Sequence, residues 1–262
     1  MPQTAMVLAA GLGKRMRPVT DTIPKPMVPV AGKPLLDWGL VRTAVVNVHY
    51  LADQIQAHLS TRNGLAFHIS DEREALLESG GGIVKALPLL GSEPFFLINS
   101  DTFWLDEGEA NLVRLARTFD ATSMDILLML AAHGQATGHG NKSDFTIGPN
   151  GRLARFAEGA GTGYIYAGAA ILHPRIFNGA EPDAHSLNRE FNAAIAAGRL
   201  FGMPMHGRWI TVGTPDAIAP AEAVVAAASE ELVDPGAARR EAVVEVGAGD
   251  DVGASGGPQV DE

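Results

Sequence analysis

The chain has 262 residues, 46% of them hydrophobic, and no cysteine, so it can bury one sizeable core but can form neither disulfides nor thiolate metal sites. No apolar run reaches the length needed to cross a membrane and the N-terminus lacks a charged start ahead of an apolar stretch, so the expectation is a soluble, cytoplasmic protein. The net charge of −10 belongs mainly to residues 221–262, where ten acids face two arginines; the preceding stretch carries twenty acids and eighteen lysines and arginines, and nothing in it suggests nucleic-acid binding.

The first predicted element is a buried strand, Ala5 to Ala10, with small residues at its end. A basic glycine loop follows it at once, with Gly11, Gly13, Lys14, Arg15 and Arg17. Glycine lets backbone N–H groups approach an anion, and the cations supply charge-assisted hydrogen bonds to phosphate. Pro18, Pro24, Pro26 and Pro29 then restrict the loop, so that Lys25 is presented at a nearly fixed place. A dinucleotide fingerprint would need a third glycine where Met16 stands, and no Walker-type string occurs, so neither common phosphate motif accounts for the loop.

Leu35 to Ala44 is expected to hold a short return helix before a second strand, Val45 to Tyr50. Helical spacing over Leu51–Ser60 precedes a third strand, Leu65 to Ser70. The glycines Gly80, Gly81 and Gly82 come next, read as standing immediately before an apolar helix through Leu87, where bare backbone admits a flat ligand. Pro94 to Asn99 reads as a fourth strand, and Asp101 just beyond its C-terminal end lies where open α/β sheets bind ligands.

The second half is predicted to contain a helix over Glu109–Phe119 and a buried strand over Met124–Ala131. A hairpin follows, Asp144–Gly148 and Arg152–Phe156, with Pro149, Asn150 and Gly151 at its tip. A strand over Tyr164–Leu172, a helix over Ser186–Gly198 and a strand over Leu200–His206 come next, and Arg208–Pro215 is expected to open the last helix. The domain is expected to end at residue 232, with 233–262 an acidic, disordered tail.

The segment from Leu8 to Pro34 resembles the signature of the sugar-1-phosphate nucleotidyltransferases: Leu8-Ala9-Ala10-Gly11-Leu12-Gly13-Lys14-Arg15, then Arg17-Pro18-Val19-Thr20, then Pro24-Lys25-Pro26-Met27-Val28-Pro29-Val30. The resemblance extends over about residues 4–220 and implies a Rossmann-like α/β fold, a mixed, mostly parallel sheet flanked by helices with a hairpin-rich sugar-binding side. It divides the domain into a nucleotide-binding half, about 1–130, and a sugar-binding half, about 131–220. It implies nucleotidyl transfer from a nucleoside triphosphate to a sugar 1-phosphate, with Arg15 and Lys25 as catalytic cations. Ala10, Gly11, Gly13, Lys14, Glu78 and Gly81 would contact the nucleotide, Glu158, Gly168 and Asn188 the sugar, and Asp101 would hold Mg²⁺.

Many relatives carry a second metal-binding aspartate where this chain has Thr211, so water or another acid would have to complete the coordination. The segment around Val46–Ile55 and the glutamate-rich entry to Gly80 most resemble the uridylyl-transferring members of that family, which implies UTP and N-acetylmuramate 1-phosphate as substrates. GTP with mannose 1-phosphate is the alternative, and a catalytically weak nucleotide-sugar binding protein the reading from another class.

Overall fold

The computed structural model describes residues 2–39, 43–159 and 161–233, with side chains as far as Glu230. Strand β1 (Ala5–Leu8) is central in the larger sheet, and the loop after it makes short 3-10 turns at Lys14–Met16, Val19–Asp21 and Lys25–Met27. A small hairpin of β2 (Pro29–Val30) and β3 (Lys33–Pro34) leads into α1 (Leu35–Trp38). The first half is completed by β4 (Thr43–Val48), α2 (Ala52–Ser60), β5 (Ala66–Asp71), α3 (Glu78–Leu90) and β6 (Phe95–Asn99). The strands run parallel in the order β6-β1-β4-β5, with Val7 between Val46 and Ile98 in register.

The second half adds β7 (Thr102–Leu105), α4 (Asn111–Thr118), β8 (Ile126–Ala131), β9 (Ala136–Thr137), β10 (Phe145–Ile147) and β11 (Leu153–Arg155). Then come β12 (Gly163–Leu172), α5 (Asn188–Ala196), β13 (Leu200–Pro204), β14 (Arg208–Thr211) and α6 (Ile218–Val233). The long β12 joins the halves by pairing antiparallel with β6, β8 and β10, and its register shifts between Tyr166 and Ala170. The expected class, a mixed sheet flanked by helices, is found.

The central strands are buried on both faces, which explains their unbroken apolar runs. Alternate residues serve opposite sides: Met6, Leu128 and Ala170 pack with Ile83 and Phe191, whereas Leu127, Met129 and Ile171 pack with Leu115 and Trp209. Val7 and Val46 belong to a third cluster with Leu36 and Ile55. Among the described residues no helix is long and apolar enough to cross a membrane.

Three expectations need correction. The helix read over Leu35–Ala44 is only α1, because β4 begins at Thr43 and takes the β-branched run from there. Arg208–Thr211 does not open a helix but is a strand, antiparallel to β7 and parallel to β9 in a small separate sheet. Gly80, Gly81 and Gly82 lie inside the first turns of α3, not ahead of it. The contact pattern divides the chain into Met1–Ala223 and Val224–Glu262, a boundary within α6, while the expected tail lies outside the described residues apart from Val233.

Candidate active site

The C-terminal ends of β1 and β6 open into a groove of three adjoining compartments. The central one, about 300 Å³, is lined by Leu8, Ala10, Lys25, Asn47, Glu78 and Asp101 among others. Gly11, Lys25 and Asp101 also border a compartment of about 310 Å³ walled by Gly13, Lys14 and Arg15. Leu8, Ser79 and Asn99 are shared with a third, of about 220 Å³, reaching Asp144, Arg155, Tyr166 and Asn188. Open α/β folds bind ligands in such a crevice outside the carboxyl ends of their strands.

The cationic loop is braced from beneath. Gly13 adopts a left-handed φ of 61° and its carbonyl accepts bonds from the Met16 N–H and the Thr20 hydroxyl, both at 2.8 Å. A side chain at Gly13 would press on Thr20 and on Lys25 Cβ. Tyr50 donates to the Thr20 carbonyl and Gln54 to the Thr22 carbonyl, each at 2.9 Å, so α2 and the turn before it fix the loop. Among the described residues the side chains of Lys14 and Arg15 engage no acid; the Arg15 guanidinium lies beside Gly213. Two exposed cations are thus left facing one compartment, the arrangement a polyphosphate requires.

Lys25 and Asp101, 76 residues apart, meet at the junction of the two larger compartments, Nζ to Oδ2 at 2.6 Å. The lysine side chain is 12% exposed and the carboxylate 34%. The Asp101 carbonyl accepts from the Val212 N–H at 3.0 Å, and Thr211 is paired in register with Thr102, the residue after Asp101. Among the described residues no group of three or more acids or histidines could form a metal cage by itself. One strand-end carboxylate suits Mg²⁺, which keeps several waters and takes its other ligands from substrate phosphates.

Asn47 and Glu72 form a polar connection that the sequence reading missed. Asn47 Oδ1 accepts from the Ala9 N–H and its Nδ2 donates to Glu72 Oε1, both at 2.7 Å. The other carboxylate oxygen of Glu72 accepts from the Leu77 N–H at 3.1 Å, and Glu72 is fully buried. A polar residue inside the apolar run of β4 was the available signal. Asn47→Ala is expected to leave the Ala9 N–H and one Glu72 oxygen unsatisfied, at a cost of about 2–4 kcal/mol. A thermal melt should then fall by roughly 5–15 °C for a domain of this size.

Of the residues expected at the site, Ala10, Gly11, Gly13, Lys14, Arg15, Lys25, Glu78 and Asp101 line the two larger compartments. Glu78 has a φ of 58°, unusual for a residue with a side chain, and stands exposed at the start of α3. Asn188 lines the third compartment. Gly81 does not line the groove: its bare Cα makes room for the Asp183 carbonyl, and its neighbours Gly80 and Gly82 accommodate His185 and the Asn47–Glu72 pair. Gly168, with φ 75°, is buried where β12 shifts register, and a Cβ there would meet Thr102 and Asn99. It positions the end of β6 and lies outside the groove lining. Glu158 is exposed in the connection between β11 and β12 and does not line a compartment. The hairpin instead contributes Arg155, which the sequence reading left out.

Tyr166, reaching this region from β12, has its hydroxyl pushed far above the usual phenol range, chiefly by burial and further by the negative charge of Asp101. It therefore stays protonated.

Comparison with known proteins agrees with this arrangement. Residues 4–227 match the family described as Nucleotidyl transferase. The chain is 43% identical over 239 residues to the N-acetylmuramate alpha-1-phosphate uridylyltransferase of Caulobacter vibrioides, covering 87% of this chain and 98% of that protein. It is 33% identical to the enzyme of the same name from Neisseria meningitidis serogroup B, covering 85% and 98%. The inositol-1-phosphate CTP transferase from T. maritima has the same fold, with a TM-score of 0.67 at 18% identity, covering 82% of this chain and 91% of that one. The signature loop, the fold and the extent of these matches agree: the chain belongs to the nucleotidyl transferase family.

Proposed function

We propose that the chain transfers a uridylyl group from UTP to N-acetylmuramate 1-phosphate, forming UDP-N-acetylmuramate and pyrophosphate. The observation that carries the substrate choice is the 43% identity to a uridylyltransferase of that specificity over 98% of its length. In the reaction a phosphate oxygen of the sugar 1-phosphate bonds to the α-phosphorus of UTP. The bond from that phosphorus to the bridging oxygen breaks, and the electron pair leaves with pyrophosphate. The nucleophile is already anionic, so positioning and charge neutralisation do the work, and no general base is needed.

The groove supports a role for each of its cations. Lys14 and Arg15 border the compartment that would take the triphosphate, and Arg15 would draw off the leaving pyrophosphate. Lys25 stands where that compartment meets the central one, which suits a cation bridging the α-phosphate and the incoming sugar phosphate. Backbone at Ala10 and Gly11, with Glu78 opposite, would hold the nucleoside. Asp101 would hold Mg²⁺, with water or phosphate oxygens filling the place that Thr211 leaves. The metal would supply charge neutralisation between the two phosphate groups. With a cell-wall sugar as acceptor, the finer reading is a cytoplasmic step in cell-wall recycling.

The test is pyrophosphate release with Mg²⁺ for UTP, GTP, CTP and dTTP, each offered N-acetylmuramate 1-phosphate or mannose 1-phosphate. Turnover is expected with UTP and the muramate. Turnover confined to GTP and mannose would overturn the substrate reading, and nucleotide binding without release in any combination would leave a binding protein.

A further inference from the structure

The sugar-side compartment contains a cation that, among the described residues, forms no ion pair with an acid. Arg155 ends β11, half-buried, with its guanidinium 4.8 Å from the ring centre of Phe145 and 6.0 Å from that of Phe191. Its Nε and Nη2 donate to the side-chain oxygens of Asn188 and Asn192 at 2.8–3.0 Å, and both acceptors are neutral. Among the described residues Nη1 bonds nothing, and no acid forms an ion pair with the group. Asp144 lines the same compartment and its charge reaches Arg155 without forming an ion pair with it; its Oδ2 accepts from the Tyr166 N–H at 3.0 Å.

A second observation points into the same space. The Tyr166 hydroxyl is buried and has no hydrogen-bond partner, although Tyr166 lines this compartment with Arg155 and Asn99. The Asn99 amide likewise bonds nothing among the described residues. A half-buried cation held only by amides and rings, beside an orphaned phenol donor, is an incomplete set that an anion with several oxygens would complete. The 1-phosphate of the sugar cannot be that anion, because it must reach Lys25 at the other end of the groove. A neutral hexose would offer only hydroxyls.

We propose that Arg155 binds the lactyl carboxylate of N-acetylmuramate 1-phosphate, with the Tyr166 hydroxyl as an additional donor to that sugar, and thereby selects an acidic sugar 1-phosphate over neutral ones. The inference rests on the reading of the chain as an N-acetylmuramate-1-phosphate uridylyltransferase. A guanidinium pre-stacked on two rings loses little further freedom on pairing, and its unengaged Nη1 can donate to a carboxylate oxygen. A site with buried donors also rejects analogues that leave those donors unpaired.

The experiment compares N-acetylmuramate 1-phosphate, its lactyl methyl ester and N-acetylglucosamine 1-phosphate, each with UTP, on the unmodified protein, Arg155→Met and Arg155→Lys. The unmodified protein is expected to favour the acid by about 10- to 100-fold in kcat/KM, the scale of a charge-assisted pair. Arg155→Met should bring the acid down to the level of the ester through KM, with kcat and the neutral substrates little changed, while Arg155→Lys keeps part of the preference. Equal losses on acid and ester would make Arg155 a structural staple between β11 and α5 and overturn the inference. Equal use of acid and ester by the unmodified protein would overturn it without any variant, which keeps the test valid should Arg155→Met fail to fold. In both of these outcomes the muramate is still turned over. Failure of the functional reading is distinct, since the unmodified protein would then not use the muramate at all.

Discussion

Lys25→Ala is expected to lower kcat by about 10²- to 10³-fold, the loss seen when one preorganised charge is removed from a developing anion. Lys25 Nζ sits 2.6 Å from Asp101, the carboxylate proposed to hold the metal, at the junction of the compartment walled by Lys14 and Arg15 and the central one. In the free protein each neutralises the other; in the proposed reaction the lysine would lie beside the phosphates that exchange the nucleotidyl group. Stability should change little, by about 1 kcal/mol, because Asp101 is one-third exposed and water can solvate the charge left behind. Lys25→Met keeps the aliphatic stem and should show the same loss of turnover, which separates charge from packing. Steady-state pyrophosphate release alongside a thermal melt measures both quantities. Near-normal turnover in either variant would remove Lys25 from the catalytic set.

The second large effect falls on folding. Gly81→Ala is expected to destabilise the protein by about 2–4 kcal/mol, as overpacking of an unyielding site does. The neighbour that a methyl group would strike is the Asp183 carbonyl, which is backbone and cannot swing aside. Residues 183–187 form a strap docked on the start of α3. The His185 carbonyl accepts from the Gly80 N–H at 2.8 Å, the His185 N–H donates to the Leu77 carbonyl at 3.2 Å, and the Leu187 N–H donates to the Ser79 hydroxyl at 2.9 Å. Displacing the strap opens these bonds together, so the melting temperature should drop by roughly 5–15 °C. Gly134→Ala is the control, since a methyl group there meets nothing within 4 Å. If the two variants melted alike, the strap would have no part in stability.

The parts of the site legible in the sequence were those whose chemistry is local. A strand followed by glycines, lysine and arginine reads as a phosphate loop without knowledge of its surroundings, and Asp101 follows from its place after β6. The hairpin of β10 and β11 was likewise legible from Pro149, Asn150 and Gly151 at its tip. What was not legible depends on distant partners. The strands β7 and β14 are four residues each and pair across about a hundred positions, too short to show a period of their own. The Asn47–Glu72 bond is a meeting of two polar residues in segments that read separately as a strand and a loop. Gly80–Gly82 looked like an opening for a ligand because nothing nearby announces that Asp183 and His185 fill it. Arg155 reads as an ordinary strand residue, whereas Glu158, three positions on and implied as a sugar contact by the family resemblance, stands exposed in the connection between β11 and β12.

If Arg155 reads the acceptor as proposed, the strap also constrains how that preference can be inherited. Arg155 and Asn188 come from the second half of the chain, but the residues leading into α5 are seated on α3, which belongs to the first. A chimera that exchanged only the hairpin and α5 with a relative would import a segment moulded to a different helix start, and the mismatch would fall at Gly80 and Gly81. Recombination that preserves folding must therefore carry 77–81 and 183–187 together, so the compartment lined by Arg155 and Asn188 is not a portable module but is transmitted as a matched pair of distant segments.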